Sequence, residues 1–175
     1  MDNYLGIIYL SVLLGFLGIV GLFILRQIIK VRKIENQLSK LQKKISSKEG
    51  KPEEYYELGS IYLDKKLYSQ AVQMFQKALK FDDLEAENLA LIYNALGFGY
   101  AALEQYDLAI RQYKQALKLQ EEYVVAWNNL GYSYEQKNLA RQALEAYETA
   151  LKYEPNNETA KTRSSSMRKR VGTSS

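Results

Sequence analysis

The N-terminal part of the chain is a long apolar stretch. No residue between Asn3 and Leu25 is charged, and most of them are apolar. At about 1.5 Å per residue, a helix of this length exceeds the hydrocarbon core of a bilayer, which is about 30 Å thick. Backbone groups inside lipid must hydrogen-bond within their own segment, which favours a helix. The pattern therefore predicts a transmembrane anchor over residues 1–25.

A cleaved signal peptide is the competing interpretation, and it fits poorly. No Lys or Arg precedes the apolar stretch, the stretch is too long, and no pair of small residues marks a cleavage site. Positive charges begin directly after it, at Arg26 and Lys30, whereas only Asp2 precedes it. Because positive flanks stay on the side from which a helix inserts, we expect the C-terminal bulk to face the cytoplasm or its organellar equivalent.

Residues 26–51 combine a helical apolar pattern with strong positive charge. They hold nine Lys and Arg against two Glu, a net charge of +7. Their apolar positions step by three and four, which predicts one face of a helix: Val31, Ile34, Leu38, Leu41 and Ile45. Three interpretations remain open: a stalk that forms a homodimer through residues 31–45, a basic amphipathic helix on anionic lipid, or a solvated spacer whose stripe packs on the next domain. Gly50 and Pro52 then indicate a hinge before a new helix.

Three blocks with one shared spacing follow. They align on glycines that are 38 and 34 residues apart, with the four-residue excess near 84–88. Each block carries Leu-Gly, then an aromatic residue three further on, then a small residue and another aromatic four residues after it. The first block has Gly59, Ala71 and Phe75; the second has Gly97, Ala109 and Tyr113; the third has Trp127, Leu130, Gly131, Tyr134, Ala143, Tyr147 and Pro155.

This spacing resembles the tetratricopeptide repeat. The resemblance implies an all-α fold, in which the anchor and stalk precede an α-solenoid of three helix-turn-helix units at residues 52–85, 90–123 and 124–157. It also implies that the glycines and alanines are packing positions and that the aromatic residues are core. After Pro155, Asn156 or Asn157 can cap a last helix near Glu158. Residues 158–175 are therefore expected to start a capping helix and to fray into a basic tail from about residue 164.

Composition narrows the functional classes. The chain has no Cys and no His, which excludes disulfides, Cys/His zinc sites, cysteine nucleophiles and Ser-His-Asp triads. No spacing of carboxylates, glycines or lysines suggests catalysis, so we expect neither an enzyme nor a cofactor. Residues 52–157 hold ten Lys and Arg against sixteen Asp and Glu, a net charge of −6. The domain therefore lacks the basic character of a nucleic-acid partner.

The resemblance also implies a peptide-binding groove along the first helix of each repeat. Its positions, carried over by their offset from the repeat glycine, are Tyr56 and Ser60, Asn94 and Phe98, and Asn128 and Tyr132. The two Asn amides are expected to hydrogen-bond a peptide backbone and the aromatic rings to provide contact area. The alternative is that these rings only pack against neighbours. The positions that bind acidic chaperone tails in some repeats carry no Lys or Arg here, which argues against that class of partner.

The whole layout resembles the small membrane-bound tetratricopeptide-repeat proteins of cyanobacteria and plastids that assist photosystem I assembly. That resemblance implies a single-pass protein of the thylakoid membrane with its repeats on the stromal or cytoplasmic side. Its expected partners are photosystem I subunits or assembly intermediates and membrane lipid. The alternative is a general bacterial inner-membrane scaffold for envelope, secretion or division complexes.

Overall fold

A computed structural model of the chain describes residues 2–47 and 50–172, and all regular structure in these residues is helical. Contacts between residues divide the chain into two compact units, the first ending at Lys44 and the second beginning at Ile45. The helices are α1 (Asp2–Ser46), α2 (Pro52–Asp64), α3 (Tyr68–Ala78), α4 (Ala86–Ala102), α5 (Tyr106–Leu119), α6 (Val124–Gln136), α7 (Ala140–Tyr153) and α8 (Glu158–Gly172).

Helix α1 is a single uninterrupted helix that contains both the predicted anchor and most of the predicted stalk. In the apolar part of α1 the side chains are exposed on all sides, including Phe16 and Phe23, whereas Leu41 near the end of the helix is buried. It is the one helix in the described part of the chain that is long and apolar enough to cross a membrane, judged by length and composition. The hinge predicted after the stalk lies partly outside the described residues, because Lys48 and Glu49 are not among them.

In the second unit, helices pair along the chain: α2 with α3, α4 with α5, and α6 with α7. Each pair is joined by the same turn, in which a residue other than glycine adopts a φ of 59°: Lys66, Glu104 or Asn138. The turn ends the first helix with two capping hydrogen bonds. In the first pair, the N–H of Leu67 donates to Tyr62 O at 2.8 Å and the N–H of Lys66 donates to Leu63 O at 2.9 Å. These bonds satisfy carbonyl groups that the helix end would otherwise leave unpaired.

The repeat glycines allow a close approach of the two helices in each pair. A Cβ atom at Gly59 would lie 2.6 Å from the Phe75 ring, and one at Gly97 would lie 2.7 Å from the Tyr113 ring. The third pair repeats this contact with Gly131. The aromatic residues in question are almost fully buried, as are the alanines that precede them by four residues: Ala71, Phe75, Ala109, Tyr113, Ala143 and Tyr147.

The four-residue excess in the second repeat extends a helix. Helix α4 has 17 residues, whereas α2 and α6 have 13 each. The additional residues lie at the N-terminal end of α4, before the glycine. Four residues are about one helical turn, so the excess adds one turn at the start of α4. The residues after it face nearly the same directions as their counterparts in α2 and α6.

The structure corrects the prediction of a frayed tail from about residue 164. Helix α8 continues to Gly172, and Ala160, Ser164 and Met167 are buried. These three positions are spaced by four and three residues, so they lie on one face of the helix. The helix persists because this face packs against the last repeat. Its first turn is capped by Asn157 Oδ1, which accepts the N–H of Ala160 at 2.9 Å.

Candidate protein-binding surface

The first helices of the second and third repeats expose large apolar side chains. Phe98 is 46% exposed and Tyr132 is 39% exposed. Each follows directly after a repeat glycine, so the glycine's contact with the buried ring turns the next side chain outward. The equivalent position in the first repeat is Ser60, whose hydroxyl donates to the backbone oxygen of Tyr56 at 2.9 Å.

Two further residues extend these apolar positions. Val125 on α6 is 53% exposed and precedes Tyr132 by seven residues. On α4, the half-buried Leu91 stands seven residues before Phe98. Seven residues are nearly two turns, so each pair lies on one face of its helix about 10 Å apart. We call Leu91, Phe98, Val125 and Tyr132 the first-helix face.

Asn94, which was expected to contact a peptide backbone, is bonded within the protein instead. Its Nδ2 donates to the Tyr123 hydroxyl at 3.2 Å. Its Oδ1 accepts Nδ2 of Asn129 at 3.1 Å. Burial raises the pKa of the Tyr123 phenol, and the bond with Asn94 lowers it by less. The network joins the second and third repeats, so this amide positions two helices and is already engaged on both sides.

Asn128 has a comparable position between the third repeat and α8. Its Nδ2 donates to Asn157 Oδ1 at 3.1 Å, the same oxygen that caps α8. Its own Oδ1 is buried and has no hydrogen-bond partner among the described residues. The amide therefore connects α6 to α8, and its buried carbonyl oxygen is left without a hydrogen-bond donor in the described part of the chain.

A second polar cluster joins the third repeat to α8 near Tyr132. Glu135 accepts the Tyr147 hydroxyl at 3.1 Å through Oε2 and pairs with Arg163 at 3.1 Å through Oε1. Burial, and then the Glu135 carboxylate, raises the pKa of Tyr147. Since the Glu135 side chain is only 14% exposed, its charge is balanced within the protein and not available to a partner.

Tyr56 differs from Phe98 and Tyr132 in its exposure. It is half-buried, and its ring lies 5.7 Å from the Phe75 ring at a tilt of 48°. Of the six predicted groove residues, the structure thus leaves two, Phe98 and Tyr132, as exposed apolar contacts. The others are held by bonds or packing within the chain. Val125, which the sequence analysis did not select for this surface, has the largest exposure of the four residues in the first-helix face.

Cationic groups are absent from the positions that would grip an acidic peptide end. Those positions carry Tyr56, Ser60, Ala95, Val125 and Asn129. A carboxylate partner would therefore find no charge-assisted hydrogen bond there. An apolar helix or peptide segment suits this surface better, because burial of exposed apolar area provides the free energy of binding.

Paired helices, the shared turn and the glycine–aromatic contacts define a tetratricopeptide-repeat protein. The tetratricopeptide-repeat families match residues 54–122 and 124–157. A solved structure of the first such domain of Spaghetti (RPAP3), bound to the HSP90 peptide SRMEEVD, superposes with a TM-score of 0.65 at 20% identity, covering 70% of this chain and 94% of that one. The all-α solenoid predicted from the sequence is thus confirmed.

Two relatives define the family more narrowly. The chain is 40% identical to the ycf37 protein of Cyanophora paradoxa, over 92% of this chain and 94% of that protein. It is 38% identical to the tetratricopeptide repeat domain-containing protein PYG7, chloroplastic, of Arabidopsis thaliana, over 93% of this chain. The chain spans about half of PYG7, 54% of its length. It belongs to the ycf37 family of tetratricopeptide-repeat proteins, a family whose fold acts as a protein-binding scaffold.

Proposed function

We propose that the chain is a membrane-anchored scaffold that assists the assembly or stability of photosystem I. The observation that carries the proposal is the first-helix face. It presents four apolar side chains on packed helices, and the nearby Glu135 carboxylate is paired with Arg163. Such a surface suits the transient capture of an apolar segment on a partly assembled membrane subunit.

The apolar part of α1 supports a role at a membrane. We infer that it spans the thylakoid membrane once, because a helix with exposed apolar side chains on all sides is stable in lipid and costly in water. Arg26 and Lys30, which follow it, favour repeats on the stromal or cytoplasmic side. An anchor would confine the repeats near membrane-inserted clients and so raise their effective concentration.

The family supports a photosynthetic role over the alternative of a general bacterial envelope scaffold. A relative that matches nearly the whole of this chain carries the word chloroplastic in its name. The first-helix face gives the mechanism a physical basis: it holds an exposed helix or peptide of an incomplete subunit until the subunit's proper partner displaces it. No bond is made or broken in this process.

Site-specific photo-crosslinking tests the proposal directly. A photo-reactive phenylalanine analogue replaces Phe98 in the full chain. In a matched variant it replaces Gln73, which is exposed on α3, the second helix of the first repeat. After irradiation of native membranes, we expect crosslinks from position 98 to photosystem I subunits and few from position 73. Crosslinks from position 98 mainly to envelope, secretion or division proteins would overturn the proposal.

The same experiment has a second arm. In a crosslinker-bearing chain, Tyr132→Ala removes a neighbouring ring of the first-helix face without touching the photo-reactive position. We expect crosslinking yield to fall several-fold, because Tyr is enriched among the interface residues whose truncation costs more than about 1 kcal/mol. An unchanged yield with identical products would place the contact elsewhere on the protein.

A further inference from the structure

A cavity of about 470 Å³ opens between α5, α6 and α7, and it shares no residue with the first-helix face. Its floor is apolar and includes Leu117, Trp127 and Ala146. The indole of Trp127 is fixed in place, because its Nε1 donates to the backbone oxygen of Glu121 at 2.8 Å. The volume falls in the range of sites that take a ligand or several side chains of a partner.

One residue that lines the cavity is much smaller than its counterpart at the preceding repeat junction. Ala146 lines it, and the equivalent position one repeat earlier carries the larger Gln112. At that earlier junction, Gln76 Nε2 also donates to the Tyr100 hydroxyl at 2.7 Å and so links the facing helices. At the later junction the position of Gln76 is taken by Lys114, whose amine lies 5.7 Å from the Tyr134 ring centroid.

The helices on the two sides of the cavity carry opposite charges, and Glu121, just beyond the end of α5, adds a second carboxylate to the lining. Lys114 and Lys118 stand one turn apart on α5, and Glu145 stands on α7. Neither Lys118 nor Glu145 forms an ion pair with another residue in the part of the chain that the structure describes. A partner that brings carboxylates to the α5 wall and a cation to the α7 wall would therefore gain charge complementarity on both sides.

The apolar surface extends past the cavity along α7. Tyr153 is 41% exposed, and Glu121 at the cavity rim raises the pKa of its phenol. It lies seven residues after Ala146, which is about 10 Å along the helix. A surface of this length, open at the side, suits two turns of a helix better than a compact small molecule.

We propose that this cavity binds an amphipathic helix of a partner protein. One bulky apolar side chain of that helix enters the space above Trp127 and Ala146. Carboxylates on one flank pair with Lys114 and Lys118, and a cation on the other flank pairs with Glu145. Because the cavity is separate from the first-helix face, this inference stands or falls independently of the proposed function.

Trp127 makes the test direct, since it is the one tryptophan in the chain. The full chain, in detergent micelles, is titrated with an alanine-rich helical peptide of about 20 residues, which is longer than the length below which such helices are marginal in water. The peptide lacks Trp, carries a central Phe, and bears Glu on one flank and Lys on the other. We expect a saturable blue shift of Trp127 fluorescence as the Phe ring displaces water from the indole.

Two control peptides separate the parts of the proposal. Replacing the central Phe by Ala is expected to weaken binding about tenfold or more, from the apolar area it no longer buries. A second control exchanges the positions of the Glu and Lys residues, so that each occupies the other's flank. This exchange is expected to weaken binding several-fold and to reduce the salt dependence of binding. Equal binding of all three peptides would overturn the proposal, because it would show non-specific adsorption.

The chain itself offers the matched protein variants. Ala146→Gln fills the cavity with the residue that the equivalent position already tolerates as Gln112, so we expect a folded protein that has lost the fluorescence response. Gln112→Ala changes the other junction and should leave the response intact. Circular dichroism checks that both variants fold. A full response in the folded Ala146→Gln variant, or none in the unaltered protein, would contradict the assignment.

Discussion

Glycines at the crossing of paired helices are the residues on which the repeats depend most. At Gly97 a Cβ atom would lie 2.7 Å from the ring of Tyr113, which is buried and cannot swing aside. The sequence indicated this role well, because the same offset between glycine and aromatic residue recurs in all three blocks. The structure adds the physical reason: the facing ring lies so close to the glycine that any Cβ atom there would be nearer than van der Waals contact.

We expect Gly97→Ala to lower the free energy of unfolding by about 1–3 kcal/mol, the usual cost of overpacking a core. The higher helix propensity of alanine offsets part of that cost. Gly172→Ala is the control, because nothing lies within 4 Å of its added Cβ; its effect should stay within about 0.5 kcal/mol. Urea unfolding followed by circular dichroism measures both. Equal stability of the two variants would show that the packing account is wrong.

Single polar residues were the least predictable part of the surface. Asn94 and Asn128 were expected to face a peptide, yet their amides bond Tyr123, Asn129 and Asn157. These partners lie 29–35 residues away in sequence. A repeat spacing identifies which side of a helix a residue occupies, and it does not identify which neighbour fills the gap between repeats.

Turns between paired helices show how an element boundary is set by backbone geometry. Glu104 and Asn138 occupy the same left-handed position, with a φ of 59°. That region costs a residue with a Cβ about 1 kcal/mol or more, whereas Asn tolerates it better. Glycine has no such cost there.

We therefore expect Glu104→Gly to stabilise the repeats by up to about 1 kcal/mol, measured as a higher unfolding midpoint in urea. Asn138→Gly should gain less, since Asn already suits this backbone and its Oδ1 accepts Arg170 at 3.3 Å. A clear loss of stability in Glu104→Gly would mean that its side chain makes a contribution larger than the backbone cost.

The start of α4 and the end of α8 were not predicted correctly from the sequence. The extra four residues of the second repeat were located near 84–88, and the predicted repeats at 52–85 and 90–123 left residues 86–89 between them; the structure has these residues in the first turn of α4. The sequence underestimated the length of α8, because Ser164 is polar and interrupts the apolar pattern. In the structure Ser164 is nevertheless buried, as are Ala160 and Met167 on the same face. The spacing of these three residues was the signal that could have revealed it.

At the scale of the whole molecule, the chain combines an apolar helix with a packed array of repeats, each a compact unit. The periodic residues made the repeat array predictable, because one supersecondary unit recurs and each unit needs its neighbour to bury its core. The cavity beside Trp127 was not predictable, since Ala146, which lines it, is small at a position where the preceding repeat has Gln112. The residues that recur in every repeat thus determine the packed core, and the residues that differ between repeats determine the binding surfaces.

We propose that a membrane tether and a docking surface act together in photosystem I assembly. The most direct measurement is the amount of assembled photosystem I in cells whose only copy of the protein lacks residues 1–25 but accumulates to the normal level. The account predicts that photosystem I falls to the level of cells without the protein, because the repeats lose their concentration near membrane clients. Full recovery of photosystem I by the untethered repeats would contradict it.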